Sequence, residues 1–257
     1  MQKIVSIKNL TLTYQNKSYE TTALENINFD LYEKEFISIV GPSGCGKSTL
    51  LSIISGLLKG YSGEVTVNGV VPSTKSSTTG YMFQKDNLLP WRTIEKNLLV
   101  GVEIQGKKSK ETKEYARQLA QKYGIGDFLK KYPHELSGGM RQRVALIRTL
   151  VLKPDLLLLD EPFSALDFTT RLNLCDDVFK IIKTERKTAI LVTHDIQEAI
   201  SMSDRIIILS SRPGRIKSIH KTNFDISDTP FMRRNSTNAK ELFDTIWKEI
   251  KDEDEKV

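Results

Sequence analysis

The sequence has few of the features that mark secreted, metal-binding or membrane-spanning proteins. Its 257 residues include only two cysteines, Cys45 and Cys175, which form no metal-ligand or disulfide pattern. The longest uninterrupted apolar runs, such as Leu156–Leu159 and Ile206–Leu209, are far shorter than the ~20 residues needed to cross a bilayer. Met1 is followed by no apolar stretch of the signal-peptide type. We therefore expect a cytosolic location.

The sequence also has no strong excess of basic over acidic residues. Lysine and arginine number 38 against 32 acidic residues, which leaves a formal charge of +6. Such a balance could favour nucleic acid, anionic lipid or nucleotide. The basic residues are spread along the chain with acids between them, which favours a solvated basic surface, and we expect no nucleic-acid partner. A hydrophobic content of 39% is ample for a globular core.

The stretch GPSGCGKST predicts a phosphate-binding loop. An apolar, β-branched run over residues 36–40 precedes it, and apolar residues at helical spacing follow it. Glycines in this strand-to-helix turn would let backbone N–H groups converge at the positive end of a helix that begins near Lys47. We expect Lys47 to reach the β- and γ-phosphates, Ser48 to hold Mg²⁺, and Thr49 to contact the α-phosphate. The alternative is a glycine-rich turn without chemical use. The predicted nucleotide-binding residues of the loop are Gly41, Pro42, Ser43, Gly44, Cys45, Gly46, Lys47, Ser48 and Thr49.

Two periodicities organise the rest of the chain. Residues 4 to 32 alternate like antiparallel strands, and a strand over 63–67 ending in the hairpin signal Asn68-Gly69 would join the same sheet. From about Thr93 to Tyr132 the pattern is helical among polar residues, which predicts a helical subdomain. The continuous apolar runs 156–159 and 189–192 indicate parallel strands covered by helices on both faces. We therefore predict an α/β fold.

Polar residues stand where several predicted strands end. Asp160 and Glu161 follow one buried run, and we expect Asp160 to fix Mg²⁺ through water and Glu161 to orient or deprotonate the attacking water. Gln84 follows a third strand-like run and offers a carbonyl for Mg²⁺ and an amide for water, although a lone glutamine there would otherwise be plain surface. His194 ends another strand, where a structural role is the alternative.

A second candidate anion site lies at the start of a later helix. Ser137, Gly138 and Gly139 precede apolar residues at helical spacing, so their N–H groups would lie at a helix N-terminus. Taken alone, these residues fit an ordinary helix cap better than an anion site. Near the chain start, Tyr14 and Tyr19 are two aromatic candidates for stacking on an adenine ring.

In this order, the motifs resemble those of the ATP-binding cassette, the ATPase subunit of ABC transporters. The matches to the family are Gly41 to Thr49 with Walker A, Gln84 with the Q-loop, Leu136 to Gln142 with the signature motif, Leu156 to Glu161 with Walker B, Ser164 to Asp167 with the D-loop, and His194 with the switch histidine. The resemblance covers about residues 1 to 225. It implies a P-loop NTPase (RecA-like) core with an N-terminal antiparallel β subdomain and an inserted α-helical subdomain at about 90–150.

The same resemblance implies cofactors, partners and further site residues. The cofactors are ATP and Mg²⁺, with Tyr14 rather than Tyr19 beside the adenine and Asp167 near the nucleotide. Two cassettes would form a head-to-tail homodimer in which Ser137 and Gly139 of one close over the γ-phosphate held by Lys47 of the other. Transmembrane permease subunits and an extracytoplasmic solute-binding protein complete such systems, so this chain is expected at the cytoplasmic face of the membrane.

A narrower resemblance rests on Tyr81 to Arg92, Leu136 to Arg143 and Leu209 to Ile216, which look like the nitrate/sulfonate/taurine import group. It implies uptake of a small anion or a nitrogen- or sulfur-containing compound. The alternatives are an importer ATPase for another class, such as a pyrimidine precursor, polyamine or metal, and an ABC ATPase without transport. Two departures concern geometry. Lys34 stands where the family usually has glycine in a turn, and Ile147 and Thr149 replace small alanines after the signature, which affects the closeness of one helix contact.

Three further expectations concern single segments. Residues 226–257 predict a C-terminal extension, helical with a frayed end, that packs on its own domain. The apolar loop Asp86 to Arg92 is expected to border the permease. The thiol of Cys45 lies inside the phosphate loop, where the helix terminus and Lys47 are expected to lower its pKa and make it reactive.

Overall fold

The computed structural model describes residues 2–15, 20–74, 78–225 and 227–254. The strands in these ranges are β1 Lys3–Gln15, β2 Glu20–Tyr32, β3 Phe36–Val40, β4 Ser62–Val67, β5 Thr79–Met82, β6 Leu156–Asp160, β7 Thr188–Val192, β8 Arg205–Leu209 and β9 Ile216–Lys221. The helices are α1 Lys47–Ile54, α2 Ile94–Leu98, α3 Val100–Ile104, α4 Lys110–Lys122, α5 Gly138–Val151, α6 Phe168–Thr184, α7 Ile196–Met202, α8 Pro230–Arg234 and α9 Thr237–Asp254. None of these helices is both long and apolar enough to cross a membrane.

The centre of the fold is a mixed sheet in the order β5-β6-β7-β3-β8-β9, in which β9 alone runs antiparallel to its neighbour. Strand β6 shows why such a strand is apolar throughout. Leu157 and Leu159 pack in the cluster that contains the helices α5 and α6, whereas Leu156 and Leu158 pack on the other face with α1 and the second sheet. Both faces of the strand are covered, so each of its leucines is buried. The predicted α/β fold class is confirmed.

A separate antiparallel sheet in the order β2-β1-β4 carries the start of the chain. Its apolar residues share one core cluster with α1, so this sheet covers one face of the central sheet. The predicted turn after β4 is present: Asn68 and Gly69 have φ of 51° and 76°, and Val67 and Val70 exchange backbone hydrogen bonds.

Helices α2 to α5 follow β5 and pack mainly on one another. At Thr149, one of the departures from the family, the adjacent strand residue is glycine: a Cβ placed on Gly80 of β5 would lie 2.4 Å from the Thr149 methyl carbon, so α5 and β5 are in close contact. The other departure, Lys34, has φ of 64°, a left-handed conformation that costs a non-glycine residue ~1 kcal/mol. Its backbone N–H donates to the Thr188 hydroxyl at 2.9 Å.

The end of the chain folds back as α8 and α9. Ile246 of α9 is fully buried against α7 and β8, and Leu242, Phe243 and Ile250 pack beside it. Trp247 on the same helix remains 54% exposed. The helix therefore packs on α7 and β8 through one apolar face, and one aromatic side chain is left at the surface.

Candidate nucleotide-binding and catalytic site

The phosphate loop connects β3 to α1 as a tight strand-to-helix turn. Gly44 and Gly46 have φ of 75° and 101°, in the region that other residues rarely adopt. A Cβ on Gly46 would also lie 2.7 Å from a methyl carbon of Leu24. The loop can therefore follow this path only with glycine there, and the N-terminus of α1 faces a cavity.

Lys47 is the first residue of α1 and is almost wholly buried at 7% exposure. Its ammonium donates to the carbonyl oxygens of Gly41 at 2.7 Å and Pro42 at 2.8 Å. These acceptors are neutral, and a phosphate oxygen would form the stronger, charge-assisted hydrogen bond. The ammonium is thus already held at the loop where an anion would lie.

The cavity over the loop has a volume of about 410 Å³. Tyr14 of β1 and Glu161 after β6 both line it, together with the residues of the phosphate loop. Tyr14 is 46% exposed, so its ring is available for stacking. Tyr19, the other aromatic candidate, lies outside the described residues. The remaining lining residues are Thr21, Ala23, Ser43, Gly44, Gly46, Lys47, Ser48, Thr49 and Arg212.

Asp160 at the end of β6 is held by both of its carboxylate oxygens. The Ser48 hydroxyl donates to Oδ1 at 2.9 Å, and the Tyr81 hydroxyl donates to Oδ2 at 2.9 Å. Burial and the nearby Asp160 charge raise the pKa of Tyr81, which keeps it a proton donor. The serine and aspartate oxygens are of the hard type that Mg²⁺ prefers, so this pair fits the ion.

Glu161 and His194 meet at the ends of neighbouring strands. The Glu161 Oε2 and His194 Nδ1 atoms are 3.1 Å apart. Glu161 has φ of 46°, a strained conformation, and its N–H donates to the Val192 carbonyl at 2.9 Å. Its carboxylate contacts His194, and the residue also lines the phosphate cavity.

Gln84 does not contact Ser48 or Asp160, the pair that fits Mg²⁺, through any hydrogen bond among the described residues. Its side-chain amide donates to the Ser164 hydroxyl at 3.1 Å, and that hydroxyl donates to the Glu161 carbonyl at 3.0 Å. The Gln142 side-chain amide donates to the backbone carbonyl of Gln84 at 3.1 Å. Gln84 is absent from the residues that line the phosphate cavity, so its link to Glu161 is indirect, through Ser164.

The second glycine-containing helix start also lies apart from this cavity. Ser137 caps α5 by accepting from the Met140 N–H at 3.3 Å, and Gly139 packs close to Thr170 of α6. Asp167 caps α6 by accepting from the Thr170 N–H at 3.1 Å, a contact that lowers the Asp167 pKa. Ser137, Gly138, Gly139 and Asp167 thus form one region, separate from Lys47 in the same chain.

The expectation for the Cys45 thiol is wrong. The side chain is only 1% exposed and belongs to the apolar cluster under the antiparallel sheet. Burial raises the pKa of the thiol, and this effect outweighs the attraction of Lys47. Cys175 is also buried. The Cys45 sulfur therefore lies in the core, away from solvent.

Sequence reasoning missed Tyr81 and Arg212. Tyr81 lies in β5, and its hydroxyl fixes Asp160. The Arg212 guanidinium donates to the Gly44 carbonyl at 3.2 Å and lines the phosphate cavity, although 168 residues separate the two positions. The Arg-Pro-Gly sequence at 212–214 was a signal of a turn beside a strand end, which is where ligands bind in such sheets.

A phosphate loop follows β3, and a carboxylate pair stands at the end of the parallel strand β6, two places away in the same sheet. This arrangement defines a P-loop nucleotide-binding protein. The family model described as ABC transporter matches residues 24–164. The chain is 49% identical over 245 residues to YtlC of Bacillus subtilis, an uncharacterized ABC transporter ATP-binding protein, with 95% of this chain and 94% of that protein covered. The chain therefore belongs to the family of ABC transporter ATP-binding proteins, and it is an ATPase.

Two further comparisons bear on the narrower class. The aliphatic sulfonates import ATP-binding protein SsuB of Bacillus cereus is 39% identical over 246 residues, with 96% of this chain and 94% of that protein covered. A dimeric post-hydrolysis structure of the ATP-binding cassette MJ0796 with ADP and Pi has a TM-score of 0.72 and 32% identity, with 86% of this chain and 100% of that chain covered. The resemblance to the ATP-binding cassette is confirmed.

Proposed function

We propose that this chain is the ATP-hydrolysing subunit of an importer for a small organic anion of the sulfonate type. The observation that carries the ATPase assignment is that Lys47, Tyr14 and Glu161 line one cavity over the phosphate loop. The substrate class is supported by the likeness to SsuB. The chain would act from the cytoplasmic face of a membrane, bound to permease subunits.

In the proposed reaction, Lys47 exchanges its backbone carbonyl partners for the β- and γ-phosphate oxygens, and backbone N–H groups of the loop surround the phosphates. Glu161 orients a water for attack on the γ-phosphorus. A bond to the water oxygen forms, the bond to the bridging oxygen of ADP breaks, and phosphate leaves. His194 positions the Glu161 carboxylate, since the two side chains are in hydrogen-bond contact.

We assign the Mg²⁺ ligands to Ser48 and Asp160, the latter through water. The ion would neutralise charge on the phosphates. Gln84 serves in this proposal as a sensor: its hydrogen bonds to Ser164 and Gln142 link the backbone carbonyl of Glu161 to helix α5.

The proposed working unit is a head-to-tail dimer. Ser137, Gly138 and Gly139 form a helix start with anion-binding character that lies outside the cavity of their own chain. A second copy could present this helix start, and the neighbouring Asp167, to the phosphates held by Lys47. The dimeric structure of the similar cassette MJ0796 with ADP and Pi supports a dimer as the working unit.

The loop from Asp86 to Arg92 is the proposed permease contact. Asn97 binds its backbone at Leu89 and Arg92, and Arg148 donates to the carbonyl oxygens of Asp86 and Asn87, so the loop is held firmly. Leu88 is buried in the core, which explains part of the loop's apolar character. Trp91 is 73% exposed and offers a large apolar surface on this rigid loop. We place the boundary of the cassette near residue 225, with α8 and α9 as an extension.

Uptake of a radiolabelled alkanesulfonate by cells that lack the gene tests the transport proposal. Cells given the wild-type gene should recover uptake, cells given Glu161→Gln should not, and both proteins should be present in equal amounts. Labelled spermidine serves as the parallel substrate for a different class. Restored uptake of spermidine but not of the sulfonate would contradict the substrate class while leaving the ATPase assignment intact.

A further inference from the structure

The segment Ser210 to Arg215, here called the arginine loop, lies against the phosphate loop. Gly214 N–H donates to the Ala23 carbonyl at 3.0 Å, and Glu25 N–H donates to the Gly214 carbonyl at 3.0 Å. A Cβ on Gly214 would lie 2.1 Å from the Cys45 carbonyl oxygen, so the two backbones touch. The arginine loop is therefore fixed between β2 and the phosphate loop.

This placement brings the Arg212 guanidinium into the wall of the nucleotide cavity. It donates to the Gly44 carbonyl at 3.2 Å, a neutral acceptor that leaves the positive charge available to an anion. Arg215, three residues further along, instead pairs with the Glu25 carboxylate at 2.8 Å. The same loop thus carries one arginine directed to the phosphate loop and one paired with an acid.

The C-terminal helix α9 contacts the arginine loop through Glu253. Glu253 is 4% exposed, and its Oε2 accepts from both the backbone N–H and the hydroxyl of Ser211, at 3.2 and 3.3 Å. Its Oε1 pairs with Lys217 at 3.0 Å. A buried carboxylate therefore fixes the residue that directly precedes Arg212.

We propose that Arg212 contacts the phosphate chain of the bound nucleotide, and that Glu253 of the C-terminal helix is its positioning residue. The segment that follows the cassette thereby contributes to nucleotide affinity. A guanidinium binds phosphate oxygens and does not bind the base, so we expect the contact to increase the affinity for ATP and for ADP alike. This inference rests on the proposed assignment of the cavity as the ATP site.

Equilibrium titration with fluorescent mant-ATP and mant-ADP in the presence of Mg²⁺ measures the contact. Arg212→Gln should raise both Kd values about fivefold to tenfold, as expected for loss of a partly solvated, charge-assisted hydrogen bond. Arg212→Lys should fall between that variant and wild type. Arg215→Gln, the matched control on the same loop, should leave both values unchanged. Unchanged affinity in Arg212→Gln would overturn the proposal.

A double-mutant cycle separates positioning from general stability. Glu253→Ala should raise the mant-ATP Kd, and this effect should vanish in the Arg212→Gln background, because the arginine it positions is gone. Glu253→Gln keeps an acceptor for Ser211 and should retain most of the affinity, which guards against a folding defect. An equal loss from Glu253→Ala in both backgrounds would overturn the positioning role.

Lys47→Ala distinguishes failure of this inference from failure of the site assignment. If Lys47→Ala abolishes mant-ATP binding while Arg212→Gln has no effect, the ATP site stands and the arginine contact is refuted. If Lys47→Ala binds as tightly as wild type, the cavity is not the ATP site and both statements fail.

Discussion

Replacing Glu198 with glutamine should make the folded protein more stable at alkaline pH. Glu198 lies in the first turn of α7 and is 6% exposed. Burial raises the pKa of its carboxyl from 4.5 to about 7, and the nearby Asp195 adds to the effect. The Thr193 hydroxyl donates to it at 2.6 Å, and Arg171 lies 3.8 Å away, both of which oppose the shift.

The sign of the pH dependence follows from where the proton resides. Between pH 4.5 and about 7, the folded protein retains the Glu198 proton and the unfolded chain releases it. The free energy of unfolding therefore falls as pH rises through this window, and the full deficit is present above it. A pKa difference of about 2.5 corresponds to about 3 kcal/mol. Glutamine cannot ionise and still accepts from Thr193, so it should recover about 1–3 kcal/mol at pH 8.

Urea unfolding of wild type and Glu198→Gln at pH 5 and pH 8 measures this effect. The free energies of unfolding of the two proteins should be similar at pH 5, and that of the variant should be higher at pH 8. Comparing the two proteins at the same pH cancels the contributions of all other titrating groups. Glu111→Gln, an exposed carboxylate in the first turn of α4, is the matched control and should track wild type. A variant that is less stable than wild type at pH 8 would refute the reasoning.

Three other predictions test packing and backbone geometry. Gly80→Ala should lower the free energy of unfolding by about 1–3 kcal/mol through overpacking, and adding Thr149→Ala should restore part of it by removing the methyl group 2.4 Å away. Lys34→Gly should raise stability by about 0.5 kcal/mol, because relief of the left-handed strain exceeds the entropy of a glycine, whereas Lys221→Gly in β9 should lower it. Cys45 should react with a maleimide only slowly in the native protein and rapidly in urea; fast native labelling that bound ATP prevents would contradict its burial.

The parts of the site that lie within one stretch of chain could be predicted from the local spacing of residues. The phosphate loop, Ser48 and the Asp160–Glu161 pair could be predicted because a strand, a turn and a helix are contiguous in sequence, and parallel strands end at one edge of a sheet. The antiparallel sheet was equally predictable from alternation and from the Asn68-Gly69 turn.

Three features of the site depend on contacts between distant parts of the chain and could not be predicted from residue spacing. The side on which the Cys45 sulfur lies depends on the antiparallel sheet that covers it, so its burial could not be deduced from its neighbours in sequence. Tyr81 reaches Asp160 only because β5 pairs with β6, across 79 positions of chain. Arg212 reaches Gly44 only because Gly214 allows two loops to touch.

Size measurement of Glu161→Gln with Mg²⁺-ATP tests the central claim most directly. The claim is that Lys47 and Glu161 hold and hydrolyse ATP in a site that a second copy completes. Light scattering during gel filtration should show a dimer for the variant with Mg²⁺-ATP and a monomer with Mg²⁺-ADP, because ATP binding closes the dimer and hydrolysis no longer reopens it. Wild-type rates of ATP turnover in Glu161→Gln, together with a monomer in the presence of Mg²⁺-ATP, would contradict the account.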